Sequence, residues 1–463
     1  MNIAIIGAGL TGLTAGLRLS QSGHKVTLYE KENYLGGLSS SVNIGSEAID
    51  RFYHHIFVSD SEFLALIDEL NINNLINWYE PKNAIYINDN LYPFTTPLDL
   101  LLFKPLSLIS RIRMGIMVLC SRFINDYSTF ESITAKEWII KRSGKDVWEK
   151  VWEPLIKSKF DFDSNSISGT WIWNKLKLRG TSRGKSLNKE MLGYIDGAFK
   201  SVIDKIGEQI IKNGGNILLN KEVTKISKAE KDLFEVLTQD SKASYDKVLF
   251  TSSPTILSSV LQDSAGTDLL NLEAGKNPPS AIESPAHQPK DEENHLAHYK
   301  KSLNSIAYKA NICLILELSE SLSPYYWITV AQEGLPFVLI VEHTNLVGLR
   351  GYDSHIVYLS RYLDVSNPLY SAPDQYVIKK FIKGLKKVFP DIKDGIIKNI
   401  TLSRAPFAQP VITLDYGKKM PAIKTPIEGL YLASMPQIYP EDRGLNYAVR
   451  LGEKAANEIL ENL

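Results

Sequence analysis

The chain has 463 residues, 44% of them hydrophobic, enough to bury the cores of more than one domain. Its 52 basic residues balance 52 acidic ones, so no global field draws it to nucleic acid. Its two cysteines, Cys120 and Cys313, both lie in apolar runs, which suits a reducing compartment and excludes a disulfide framework.

Residues Asn2 to Ile6 are an unbroken apolar run and predict a parallel strand buried on both faces. Gly7, Gly9 and Gly12 follow as G-x-G-x-x-G, and Leu13, Leu17 and Leu19 continue at helical spacing until Gln21 to Gly23. In such a unit the first glycine permits the tight turn, the second lets a pyrophosphate approach the backbone, and the third seats the helix on the strand. The helix N-terminus then offers its N–H groups to phosphate. Lys25 to Tyr29 predicts the second strand, and Glu30 stands where a carboxylate accepts from a ribose hydroxyl. Candidate cofactor contacts in this unit are Gly7, Ala8, Gly9, Leu10, Thr11, Gly12, Glu30 and Lys31.

Gly36-Gly37 completes the pattern E-x5-G-G with Glu30. This pattern resembles the N-terminal signature of the flavoprotein superfamily that contains monoamine oxidases, protoporphyrinogen oxidases, carotenoid desaturases and UDP-galactopyranose mutases. The resemblance implies noncovalently bound FAD, with Gly36, Gly37, Leu38 and Ser39 beside its pyrophosphate. Amine oxidases usually carry arginine after the glycine pair; Leu38 replaces it here. The run Ile49 to Phe57, IDRFYHHIF, resembles FAD-dependent oxidoreductases of polysaccharide pathways, and its His55-Ile56-Phe57 resembles a triplet of UDP-galactopyranose mutases. His54 and His55 are therefore candidate catalytic residues. On an extended strand they point to opposite faces, so one of them is expected to be structural.

Asp60 to Leu70 predicts a helix with an acidic first turn. Residues 97–125 are apolar with Lys104, Arg111, Arg113 and Arg122 interspersed. Two readings compete: helices lying on a membrane surface, or cap helices packed over a substrate cavity, which is the preferred one. Helical patterns continue from Ala135 to Phe160, with Pro154 expected to mark a kink. Trp171 and Trp173 share a face if their segment is extended.

From Gly193 a helix with Phe199, Val202, Ile203, Ile206 and Ile210 on one face is predicted to stop at Gly214-Gly215. Strand pieces follow, and the resemblance places the backbone of Val223 at the adenine. Tyr245 to Ser253 reads as a strand returning to the nucleotide domain. Residues 263–301 are rich in Pro, Asn, Asp, Glu and Ser and are read as a flexible insertion. His295 and His298 lack a third ligand nearby, so no metal is expected.

Several β-rich runs lie between Ile306 and Tyr362, interrupted by the polar sequence Glu342 to Asn345. The C-terminal segment combines a strand, Gly429 to Ala433, with a helix carrying Ala448, Gly452, Ala455 and Ala456 on one face. It resembles the superfamily's C-terminal flavin motif, which implies that Arg443, Gly444, Leu445 and Asn446 bring N–H donors to the flavin.

The expected fold class is α/β: a Rossmann-type FAD-binding domain assembled from residues 1–59, 193–262 and 402–463, plus an α+β substrate domain with a helical cap and mixed sheet. Residues 60–192 form the helical part and 302–401 the β-rich part. No second G-x-G-x-x-G follows a strand, so no separate NAD(P)H domain is expected. Met1 leads directly into the first strand, without a basic leader, and no apolar stretch reaches the length of a membrane span. The expectation is a cytoplasmic FAD-dependent oxidoreductase acting on a small or glycan-linked molecule. A non-redox sugar mutase and an FAD-binding protein without turnover are the alternatives.

Overall fold

The computed structural model describes residues 1–121, 123–181, 190–229, 233–262 and 292–462. The first unit is β1 (Asn2–Ile6), α1 (Leu10–Gln21) and β2 (Lys25–Tyr29). Then come α2 (Ser61–Glu69), β3 (Asn83–Ile87), β4 (Asn90–Pro93), α3 (Pro97–Leu102) and α4 (Leu108–Ser121). The helical part continues through α5 (Ala135–Ser143), α6 (Glu153–Phe160) and α7 (Gly169–Thr181). The middle of the chain returns with α8 (Lys200–Lys212), β5 (Asn216–Leu218), β6 (Val223–Lys228), β7 (Phe234–Thr238), β8 (Lys242–Tyr245), β9 (Lys247–Phe250) and α9 (Pro254–Val260). After α10 (Glu292–Asn304) come β10 (Tyr308–Leu318), β11 (Trp327–Val330), β12 (Leu339–Glu342) and β13 (His355–Leu363). The chain ends with α11 (Asp374–Val388), β14 (Ile397–Pro410), β15 (Leu430–Leu432) and α12 (Leu445–Glu461).

Three distant pieces build one five-stranded parallel sheet in the order β5-β2-β1-β9-β15. β1 lies between β2 and β9 with both faces covered, which its uninterrupted apolar sequence requires. α1, α8 and α12 cover one face of this sheet. On α8 Val202, Ile203, Ile206 and Ile210 point inward, and the helix stops where Gly214 adopts φ +85°.

A seven-stranded mixed sheet, β14-β10-β13-β12-β11-β3-β4, forms the second layer system. It corrects two expected boundaries. Residues 402–410 belong to β14, which pairs antiparallel with β10, and not to the nucleotide domain. Residues 83–93 supply β3 and β4 at the far edge instead of joining the helical part. In both cases pairing with strands distant in sequence decides the assignment.

Two further expectations change. Part of the expected insertion is helical: α10 buries Tyr299 and Leu303 against Val260 and Leu261, whereas residues 263–291 lie outside the described residues. Trp171 and Trp173 sit on a helix, both buried in the core of the helical part. Residues 97–125 supply α3 and α4, as both readings of that stretch require. α4 buries Ser110, Met114, Met117 and Ser121 and exposes Ile109, Ile112, Ile116 and Leu119. Pro154, where a kink is expected, lies in the first turn of α6, immediately after a π-helical turn over Trp148–Trp152. Among the described residues no helix is long and apolar enough to cross a membrane.

Candidate functional site

The glycine turn after β1 shows what each glycine is for. Gly7 has φ +105° and donates its N–H to the Tyr29 carbonyl at 2.8 Å, joining the ends of β1 and β2. A Cβ on Gly12 would stand 2.1 Å from the Gly7 oxygen and 2.8 Å from Thr251 Oγ1, so no side chain fits there. Gly9 is the opposite case: nothing lies within 4 Å of the place its Cβ would take. Such an open face leaves the backbone accessible to a pyrophosphate. Thr251, at the end of β9, was not legible as part of this turn, yet its hydroxyl bonds the carbonyls of Ile6 and Gly7 at 3.0 and 2.9 Å.

Glu30 closes the turn from the other side, with Oε2 accepting the Ala8 N–H at 2.9 Å and Oε1 that of Glu32 at 3.0 Å. The expected glycine pair lies on the same turn. Gly36 donates to the Ala8 carbonyl at 2.9 Å, and a Cβ on Gly37 would stand 3.3 Å from Gly9 Cα. Ser39 is buried behind them, Leu38 packs toward Tyr362 and Ala405, and Lys31 is exposed beside Glu32. Val223 opens β6 and shares a core with Tyr29 and Tyr245, and the backbone before it is tied to that after β2 by Lys221 donating to Glu30 O at 2.8 Å.

α12 lies along α1. Thr11 Oγ1 donates to the Ala448 carbonyl at 3.1 Å, and a Cβ on Gly452 would stand 2.6 Å from Thr11 O and 2.8 Å from Thr14 Cβ. Residue 11 meets 448 and residue 14 meets 452, so the helices run in the same direction with their N-termini at one end. Gly9 and Gly444, both in extended conformation, precede these helices and offer no capping side chain. The first-turn N–H groups at 10–12 and 445–447 thus share one end of the molecule, each with the positive pole of a helix behind it.

The side chain of Asn446 does not join them. Its Oδ1 accepts the Phe63 N–H at 2.9 Å and its Nδ2 donates to Glu62 at 2.7 Å, so it holds the start of α2 and leaves only backbone for a cofactor. Beside Gly444, Arg443 donates to Gln409 at 2.9 Å and to the hydroxyl of Tyr362. Asp442, 4% exposed, accepts from Lys159 at 2.8 Å, Lys175 at 2.5 Å, and the Trp171 indole and Gln409 amide at 3.2 Å each. Burial costs this carboxylate, yet the three cations hold it ionised well below the usual carboxylate range. Lys159 is pushed well below the usual lysine range by burial. Lys175 and Arg443 against one carboxylate leave a positive excess at the start of α12, and Lys159 is the group that burial discharges most readily. Sequence reading missed Asp442 and its lysines because they meet only through the tertiary fold.

His54 and His55 do face opposite sides. His54 Nδ1 lies 2.6 Å from the Phe52 carbonyl, the ring packs edge-on to Phe199, and burial lowers its pKa to about 4. His55 turns to the mixed sheet, with Nδ1 3.4 Å from the Tyr326 hydroxyl and its ring against Phe57 and Trp327. The Glu342–Asn345 sequence is structural. Glu342 accepts from the Leu322 N–H and the Ser321 hydroxyl, and His343 is buried among Tyr194, Tyr352 and Tyr358.

The open Gly9 face, the two helix N-termini and the glycine pair fit an elongated dinucleotide. A family model described as flavin containing amine oxidoreductase matches residues 10–280. Zeta-carotene desaturase of Arabidopsis thaliana is 22% identical over 239 residues, which is 45% of this chain and 42% of the desaturase. Protoporphyrinogen oxidase 2 of the same plant is 26% identical over 190 residues, 39% of this chain and 37% of the oxidase. The chain thus spans about two fifths of the length of these curated relatives. The crystal structure of reduced UDP-galactopyranose mutase matches with a TM-score of 0.72 at 15% identity, covering 100% of this chain and 96% of the other, and shows a shared fold. The chain belongs to the flavin-containing amine oxidoreductase family, with FAD as its cofactor.

Proposed function

We propose that the chain is an FAD-dependent oxidoreductase that moves hydride between noncovalently held FAD and a small or glycan-linked substrate. The observation that carries this reading is the parallel placement of α1 and α12, with both uncapped N-termini at the end where Gly9 is open. When bound, FAD supplies the hydride chemistry, and the protein supplies position and field. The backbone at Gly9, Gly36 and Gly37 binds the pyrophosphate, Glu30 accepts from the ribose, and the backbone at Val223 meets the adenine. The backbone N–H groups at Gly444, Leu445 and Asn446 hold the other end, where the helix pole and the Lys175 and Arg443 charges favour an electron-rich ring. Neither cysteine serves a covalent link: Cys313 is buried in β10 and Cys120 lies exposed on α4.

His55 is the candidate side chain on the substrate side, and His54 is a neutral, buried positioning residue. His55→Ala is expected to lower kcat with flavin content unchanged, whereas His54→Ala lowers thermal stability. The oxidoreductase reading is tested by mixing the FAD-loaded chain anaerobically with glycan-linked alcohols and amines and with NAD(P)H. Bleaching of the visible flavin band by one of them supports it; a band that none of them bleaches overturns it. The His55-Ile56-Phe57 triplet favours one second reading, a non-redox sugar mutase, which requires turnover without net consumption of oxidant or reductant.

A further inference from the structure

The surface made by α3 and α4 is built the wrong way round for a helix pair resting on a protein core. α4 turns Ile109, Ile112, Ile116 and Leu119 to solvent at helical spacing, with Ile109 71% exposed, and α3 adds Leu98 and Leu102 beside them. The inward face of the same helix is Ser110, Met114, Met117 and Ser121. Nine of the sixteen exposed large hydrophobic side chains among the described residues fall between 98 and 123. Singly exposed leucines need no explanation, but a continuous stripe marks an interaction surface.

The chemistry of this face selects its occupant. The stripe is aliphatic and, with the exposed Phe123 beyond its end, carries no tyrosine, tryptophan or amide, the hydrogen-bonding groups with which protein interfaces satisfy one another. A hydrocarbon phase asks for no such partners. The border is cationic: Lys104 is exposed between the helices, Arg111 folds back on the carbonyls of Leu106 and Leu101, and Arg113 reaches toward the Arg142 carbonyl. The nearby carboxylates are already engaged. Asp99 accepts from the Thr95 and Thr96 N–H groups in the α3 cap, and Asp146 pairs with Lys150 at 2.6 Å. Two copies meeting through this face would set these like-charged borders against each other, whereas an anionic lipid surface complements them.

We propose that α3 and α4 form a docking face that lies in the interface of an anionic lipid bilayer, with the isoleucine stripe among the acyl chains and Lys104, Arg111 and Arg113 at the headgroups. The proposal does not depend on the reaction assigned to the chain. Its test is sedimentation of the FAD-loaded full chain with phosphatidylcholine vesicles and with mixed phosphatidylcholine–phosphatidylglycerol vesicles, alongside analytical ultracentrifugation without lipid. The wild-type chain is expected to sediment with the anionic vesicles at least about tenfold more strongly than with the neutral ones, and less strongly at high salt. Ile109→Ser/Ile116→Ser is expected to abolish that association, and Lys104→Glu to weaken it severalfold, with flavin content and circular dichroism unchanged. The proposal is overturned if the wild type stays in the supernatant with both lipids, or if it binds both equally. It is likewise overturned if the serine variant binds as well as wild type, or if the stripe proves to seal a dimer in solution that ignores vesicles.

Discussion

Asp442 Oδ2 accepts from Lys159 Nζ at 2.8 Å across a separation of 283 residues, at the junction of the helical part, the mixed sheet and the start of α12. The carboxylate faces Lys159, Lys175 and Arg443 together, and its charge acts on Lys159 and Arg443. Asp442→Asn would leave Lys175, Arg443 and the buried Lys159 amine without their counter-charge and is expected to cost about 3–5 kcal/mol of stability, read from the urea midpoint. Lys159→Met added to Asp442→Asn should recover part of that loss. A single variant as stable as wild type would show the cluster to be hydrated and energetically idle.

Much of the site was legible because its motifs are local. Gly7, Gly9, Gly12 and Glu30 lie within one βαβ unit, and the small residues Gly452, Ala455 and Ala456 announce a close helix contact before the partner helix is known. What escaped is set by pairing over long distances. β14 belongs to the mixed sheet because its register runs along β10, which no pattern within residues 397–410 encodes. The motif at Asn446 concerns its backbone N–H, and nothing in it tells that the side-chain amide is spent on Phe63 and Glu62. The α4 stretch is apolar nearly all round, so periodicity alone does not say which side faces out; the buried serines do.

Gly9 and Gly12 should separate cofactor binding from folding. Gly9 has φ −71°, which any residue adopts, so Gly9→Ala is expected to fold normally while its methyl occupies the open phosphate face. FAD should then bind at least about tenfold more weakly, by fluorescence titration. Gly12→Ala forces a methyl to within 2.1 Å of the Gly7 oxygen and should cost about 3 kcal/mol or more of apoprotein stability. Equal flavin retention by Gly9→Ala and wild type would remove the pyrophosphate from this turn.

Asn446 offers the complementary test at the other helix. Its side chain satisfies the Phe63 N–H at the start of α2, so Asn446→Ala is expected to lower stability by about 1–2 kcal/mol. FAD affinity should stay within about twofold of wild type, because only backbone at this position serves the cofactor. A selective loss of FAD with an unchanged melting temperature would place the amide at the flavin instead.

Asp50 gives the fold a dependence on pH. It is buried, with Oδ1 accepting the Phe199 N–H and the Ser41 hydroxyl and Oδ2 accepting the Tyr194 hydroxyl, and burial raises its pKa from 3.8 to about 7. Between those values the folded chain holds a proton that the unfolded chain has released, so this group's contribution falls as pH rises from about 4 to about 7 and is level above that. At about 1.4 kcal/mol per pH unit the full change is on the order of 4 kcal/mol. Asp50→Asn retains the acceptor toward Phe199, can donate to the Tyr194 oxygen, and carries no charge to bury. Wild type and variant should therefore be closest in stability below pH 4, as given by the unperturbed carboxyl, and the variant should gain on wild type as pH climbs toward neutrality. Denaturation midpoints measured for both across this window decide the matter: parallel curves would mean that Asp50 is ionised in the folded chain throughout.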